Sequence, residues 1–176
     1  ARATAPMLTV LSDTHSVDDT RLQGRTRTAV DEADLVVHAG DFYQPSVLDG
    51  FERTAGSLRA VYGNNDGPAI RDRLPAVCTV EYGGVRFVVT HRHRSGDTGL
   101  VMLGRDRDAD AVICGHSHRP RFDDGPDLPI VNPGSHAQPR GNRPAHAELE
   151  SDGDGNLDGR LVTPDGEVFE RFRIEP

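Results

Sequence analysis

Lysine is absent from this chain: each of the 20 basic residues among its 176 is arginine. Against them stand 28 Asp and Glu, for a formal net charge of −8. An acidic surface without lysine stays hydrated and soluble through net repulsion. That points to a high-salt cytoplasm, although a GC-rich genome also favours arginine. The same field argues against binding duplex nucleic acid, which takes a basic stripe to displace counterions. At molar salt that argument weakens, because screening shortens to about 3 Å. Cysteine is nearly absent too. Cys78 and Cys114 have no paired spacing, which excludes a disulfide framework and a CxxC zinc site and leaves two buried small residues in a reducing cytosol. Long apolar runs are missing: none approaches the roughly 20 residues that span a bilayer, and the N-terminus carries no leader pattern. The expectation is a soluble cytoplasmic protein with no membrane association.

The length suits one domain over residues 1–176. Its hydrophobic share of 35% is low, yet it is gathered into short runs such as Met7-Leu8-Thr9-Val10-Leu11 and Ala111-Val112-Ile113-Cys114 that suffice for buried strands. Strands are predicted at 7–11, 35–38, 58–62, 77–82, 85–90, 111–114, 130–131, 145–150, 156–163 and 168–174. Helices are predicted at 19–33, with Leu22 and Val30 inward, and at 47–54, 69–74 and 98–107. Gly83-Gly84 suits a primed hairpin turn. Alternating strands and helices followed by turn-separated strands indicate an α/β layered fold.

Polar residues cluster in a telling place. Asp13, Asp41, Asn64, His91 and His116 each follow on, or soon after, a predicted strand, and in α/β sheets such positions gather at one edge, where ligands bind. Singly, each segment is weak: Asp13-Thr14-His15 reads equally as an Asx turn, and Gly40-Asp41 and Gly63-Asn64-Asn65-Asp66 as strand-ending turns. Gly115-His116-Ser117-His118 can point two imidazoles into one site. Together with His15, these residues form a set of oxygen and nitrogen donors suited to Mn²⁺, Fe²⁺, Co²⁺, Ni²⁺, Zn²⁺ or Mg²⁺, with no thiolate for a structural zinc site.

Six blocks in order carry a resemblance: Ser12-Asp13-Thr14-His15, His38-Ala39-Gly40-Asp41, Gly63-Asn64-Asn65-Asp66, Thr90-His91, Gly115-His116-Ser117-His118, and Asn132-Pro133-Gly134-Ser135 with Gln138-Pro139-Arg140. The chain resembles the calcineurin-like metallophosphoesterases, specifically their small single-domain prokaryotic phosphodiesterase branch. The resemblance implies a four-layer sandwich of two mixed β-sheets flanked by helices. It also implies two divalent ions, Mn²⁺ foremost: Asp13, His15 and His118 would hold one, Asn64, His91 and His116 the other, and Asp41 would bridge them. Two ions about 3.5–4 Å apart can turn a shared water into a hydroxide nucleophile, consistent with the lack of an activated Ser or Cys motif. The expected substrate is a small-molecule phosphodiester. Phosphomonoesters or pyrophosphate are the nearest enzymatic alternative, and a non-catalytic scaffold, as in the retromer subunit of this fold, is the rival from another class. A homodimer remains open as the assembly.

Two departures from the family pattern bear on catalysis. Asn65 stands where many relatives have His; it can donate a hydrogen bond to substrate but cannot deliver a proton at neutral pH, which favours good leaving groups. Asp66, counted with the catalytic pair, is expected to orient a neighbour. Arg92 stands where the branch commonly has Gly, and can place a guanidinium on substrate phosphate or simply balance nearby Asp in a solvated loop. His93 is not expected to ligate. His38 is expected to support the site from behind, and His136 and His146 to be surface or structural residues, His136 also being a candidate for the pocket rim.

Overall fold

The computed structural model describes residues 6–176; residues 1–5, part of the stretch read for a leader, lie outside it. Strands β1 (Met7–Leu11), β2 (Leu35–His38) and β3 (Leu58–Ala60) run parallel, and β9 (His146–Ser151) pairs antiparallel with β1, followed by β10 (Leu157–Val162) and β11 (Val168–Ile174), each antiparallel to the one before, in the order β11-β10-β9-β1-β2-β3. The second sheet holds β4 (Val77–Tyr82), β5 (Val85–Thr90), β6 (Ala111–Ile113), β7 (Arg121–Asp123) and β8 (Ile130–Asn132) in the order β4-β5-β6-β8-β7. Both sheets are mixed. Leu8, Val10, Val37 and Leu149 of the first meet Val80, Phe87, Val89, Ile113 and Val131 of the second in one buried core. Behind the first sheet pack α1 (Gly24–Glu32), α2 (Pro45–Thr54) and α3 (Pro68–Arg71), through Val30, Val47, Leu48, Phe51 and Ile70. Behind the second packs α4 (Gly96–Asp106), through Leu100. The result is the four-layer sandwich the resemblance implied.

The fully apolar runs became strands buried on both faces, as at β1 and β6. Gly83 and Gly84 turn the β4–β5 hairpin with φ of 58° and 88°, the doubly positive pair that a primed turn requires. Three differences have local causes. The helix expected from Asp19 starts only at Gly24, because Asp18, Asp19 and Ser16 spend their side chains on backbone N–H groups and Arg21 takes φ of 53°. The segment expected as a helix over 69–74 keeps one α-helical turn, Pro68–Arg71. Strand β7 was not expected: Arg121-Phe122-Asp123 is short and polar, and is a strand only because it pairs antiparallel with β8.

On the helix side of the first sheet, Glu148 of β9 is fully buried and is met by two guanidinium groups and an imidazole. Arg25 of α1 donates through Nε (2.9 Å) and a terminal nitrogen (2.7 Å), Arg160 of β10 donates at 2.7 Å, and His146 Nε2 lies 2.7 Å away. Burial would push this carboxyl up, but His146, Arg25 and Arg160 hold it well below the usual carboxylate range. His146 also meets Thr26 at 3.0 Å, so its role is structural. Burial pushes the Cys114 thiol up to about 12 and Cys78 upward as well, and both are free, in keeping with inert core residues. Among the described residues, no helix is long and apolar enough to cross a membrane.

Candidate metal centre

The parallel strands of both sheets end on one edge, and the candidate residues leave from there: Asp13 after β1, Asp41 after β2, Asn64 to Asp66 after β3, His91 after β5, His116 and His118 after β6. The loops are locked to one another. Asp13 N donates to Gly40 O (2.9 Å), His15 N to Asp41 O (3.0 Å), and Gly115 N to His91 O (2.9 Å). The two sheets come close enough here that a Cβ on Gly115 would collide with Ser12 Oγ, and one on Gly63 with the Asp41 carboxylate, so both positions need glycine.

Five of the seven candidate ligands adopt left-handed backbone: φ is 56° at Asp13, 46° at His15, 66° at Asp41, 75° at His116 and 59° at His118. Each such residue costs about 1–2 kcal/mol, and the surrounding bonds must hold it there. The side chains gained by this strain converge. Asp13 Oδ1 lies 3.6 Å from His15 Nε2, 3.7 Å from His91 Nε2 and 3.4 Å from His118 Nε2, and Asp41 Oδ2 lies 3.0 Å from His15 Nε2 and 3.3 Å from His91 Nε2. Ligands on one ion at about 2.1 Å sit roughly 3.0–3.4 Å apart in octahedral or tetrahedral arrangement. The separations fit a shared cation.

Hydrogen bonding points the same way. Asp13 Oδ1 and the Nε2 atoms of His15, His91 and His118 are buried with no aligned hydrogen-bond partner among the described residues. Unpaired buried polar atoms are rare and costly, and four aimed at one another mark an ion site. The other side-chain polar atoms of Asp13, His91 and His118 are satisfied, whereas His15 Nδ1 is buried without a partner among the described residues. Asp13 Oδ2 accepts from Ser12 Oγ (2.8 Å) and His116 N (2.9 Å). His91 Nδ1 faces Ala39 O at 2.8 Å and His118 Nδ1 faces Gln138 O, which places the proton on Nδ1 and leaves Nε2 a lone pair for a metal. The groups Asp13, His15, His118 and Asp13, Asp41, His91 can each hold an ion. Burial works against a charge on His15, but the carboxylates of Asp13 and Asp41 raise it to about 9, a sign that the cluster is short of positive charge. Asp41 is pushed up by burial yet held far below the usual carboxylate range by His15 and His91.

The remaining candidates fall into place around this centre. His116 Nδ1 lies 3.1 Å from Asn64 Oδ1 on the open side, with its ring edge-on to His91 at 5.4 Å between centroids. Asn65 donates to Asp41 twice, from its backbone N (2.8 Å) and its side-chain amide (2.9 Å). The carboxylate of Asp66 is spent on three backbone N–H groups, of Asp41 (2.9 Å), Gly63 (2.8 Å) and Tyr43 (3.0 Å), and so positions the loops. Arg92 is exposed and pairs with no carboxylate among the described residues; after burial and His91, it also lowers the His116 pKa. His93 caps the turn before α4, accepting from Ser95 N at 3.1 Å. His38 is buried, bonded to Gly40 N (3.1 Å) and Thr14 Oγ1 (2.9 Å), and supports both metal-bearing loops from behind.

Two supporting roles escaped the sequence reading. Asn132 Nδ2 donates to Gly115 O and Ser117 Oγ, both at 3.1 Å, and Ser135 Oγ donates to Asp13 O at 2.7 Å while accepting from Gln138 N at 2.8 Å. The sixth block thus braces the others. Tyr43 stands beside His15, 4.5 Å between ring centroids, with no sequence signal beyond its nearness to Asp41.

His136 takes the structural place among the expected alternatives. It is buried, not at the rim, with Nε2 facing Thr20 O at 2.9 Å and its ring edge-on to Phe51. Burial pushes it down to about 4 from the ordinary 6.5. A folded pKa below the unfolded value means the neutral ring's stabilisation is present above pH 6.5 and is lost as pH falls through about 4. Urea unfolding in the presence of a chelator should therefore lose about 2–3 kcal/mol between pH 6.5 and pH 4.5, part of which disappears in His136→Gln. An identical pH slope in that variant would contradict the assignment.

Residues 7–152 match the model of the calcineurin-like phosphoesterase superfamily domain, and the chain belongs to that family. A probable metallophosphoesterase of Methanothermobacter thermautotrophicus is 32% identical over 162 residues, covering 89% of this chain and 91% of that one. A phosphodiesterase of Methanocaldococcus jannaschii is 30% identical over 115 residues, covering 59% of this chain and 68% of that one. Among solved structures, Vps29 of Chaetomium thermophilum superposes with a TM-score of 0.80 at 18% identity, over 98% of this chain and all of that one, a likeness of fold.

Proposed function

We propose that this phosphoesterase-family chain, as one domain, is a phosphodiesterase working with two divalent ions on a small-molecule substrate. The observation that carries the reading is the convergence of unpaired Asp13 Oδ1 with the Nε2 atoms of His15, His91 and His118 about the Asp41 carboxylate. Asp13, His15 and His118 hold one ion. His91, His116 and Asn64 would hold the other, and Asp41 would serve both. Bound there, the pair supplies an activated water near neutral pH and neutralises charge on the phosphoryl oxygens.

The chain's own groups do the rest. Asp66 fixes the Asp41 and Gly63 loops. Asn65 commits one amide hydrogen to Asp41 and has a second for a phosphoryl oxygen. Arg92 offers charge-assisted hydrogen bonds from the open side. No proton donor stands at Asn65, so esters with acidic leaving alcohols are favoured. Oxygen- and imidazole-rich donors suit Mn²⁺. The lysine-free acidic surface, with exposed pairs such as Arg73–Asp49 and Arg121–Asp97, suits a cytosol of high salt.

The likeness to Vps29 supports a second reading, a binding scaffold without turnover. The assay is hydrolysis of bis(p-nitrophenyl) phosphate with Mn²⁺ in molar KCl. Turnover at least tenfold above that of p-nitrophenyl phosphate is expected. Folded protein that is inert with every divalent metal would leave only the scaffold.

A further inference from the structure

Beside the second metal position lies a cavity of about 190 Å³, lined by Tyr62, Asn64, Arg71, Thr90, His91 and Arg92 among others. The exit of β3, helix α3 and the exit of β5 build it together. At this size it is smaller than the roughly 300–1,000 Å³ of pockets that enclose a whole ligand, so it suits a single substituent of a substrate held at the metals.

Its charge is unusual for this chain. Some guanidinium groups face carboxylates, as those of Arg25, Arg73, Arg121 and Arg173 do, and others, such as that of Arg171, stand at the surface without one among the described residues. Here two stand at one cavity, and neither is ion-paired with a carboxylate among the described residues. Arg71 is held in place: its Nε donates to Asp66 O (2.7 Å) and its guanidinium lies 4.7 Å over the Tyr62 ring, leaving donors free. Arg92 is exposed and unpaired among the described residues. Two guanidinium groups lining one small space favour an incoming anion there, against the repulsion of a molecule of net charge −8.

We propose that this cavity is a subsite for one ester group of the substrate, and that it selects a group bearing its own oxyanion, a carboxylate or a second phosphate, beside the scissile phosphorus. The proposal rests on the phosphodiesterase reading and narrows its substrate class.

Non-hydrolysable probes separate the two. Calorimetric titration of the Mn²⁺-loaded protein would compare phenylphosphonate, 4-carboxyphenylphosphonate and 1,4-phenylenediphosphonate. At least one of the doubly anionic probes should bind about tenfold tighter than phenylphosphonate, the size of one charge-assisted hydrogen bond, and which of them does so tells carboxylate from phosphate. Arg92→Gln should remove the preference, while Arg171→Gln, an exposed arginine of β11 in the first sheet, keeps it. Equal affinity for all three probes, or a preference that survives in Arg92→Gln, overturns the subsite. Turnover of bis(p-nitrophenyl) phosphate without that preference would remove the subsite and leave the phosphodiesterase reading standing.

Discussion

Asp41→Ala should lower turnover of bis(p-nitrophenyl) phosphate by at least about 1,000-fold, or about 4 kcal/mol, and remove at least one of the two bound ions. The effect is expected to be this large because, on the proposed reading, Asp41 serves both ions. Its Oδ2 sits 3.0 Å from His15 Nε2 and 3.3 Å from His91 Nε2, and its carboxylate also accepts both Asn65 donors. Removing it leaves two imidazoles without their common counter-charge, so neither half-site is complete. Metal analysis alongside the assay separates a lost ion from a lost fold, since Asp66 still ties the backbone of residue 41 to Gly63. An Asp41→Ala protein that retains two ions would refute the bridging assignment.

Glu148→Ala should cost about 3–5 kcal/mol of stability in urea at pH 7 without touching a metal donor. The glutamate is fully buried and is the acceptor shared by Arg25, Arg160 and His146. Truncation leaves both guanidinium groups and the imidazole without their acceptor in and around a desolvated layer between α1 and the first sheet. Glu148→Gln, which keeps size and part of the hydrogen bonding, should lose less. A loss under about 1 kcal/mol in the alanine variant would mean that water reaches the network and screens it.

The legible part of the sequence was the part written in local pattern. Apolar runs fixed the strands near their true ends, and the rule that parallel strands of an α/β sheet present ligands at their carboxyl edge gathered Asp13, Asp41, Asn64, His91 and His116 before any coordinates. Long-range facts were not legible. Nothing local says that Ser135 reaches Asp13 O, that His118 is oriented by Gln138 O, or that β7 owes its existence to β8. The left-handed backbone at His15, His116 and His118 is likewise hidden, because histidine adopts it only where surrounding bonds impose it. Which of its alternatives His136 takes was hidden for a related reason: only the tertiary structure supplies the Thr20 carbonyl and the Phe51 face that let it be buried neutral.

Anomalous diffraction at the manganese edge from a crystal soaked in Mn²⁺ tests the central claim most directly. Two peaks are expected, one contacted by Asp13, His15 and His118 and the other by His91, His116 and Asn64, with Asp41 touching both. A single peak, or ions bound away from Asp41, would contradict the account.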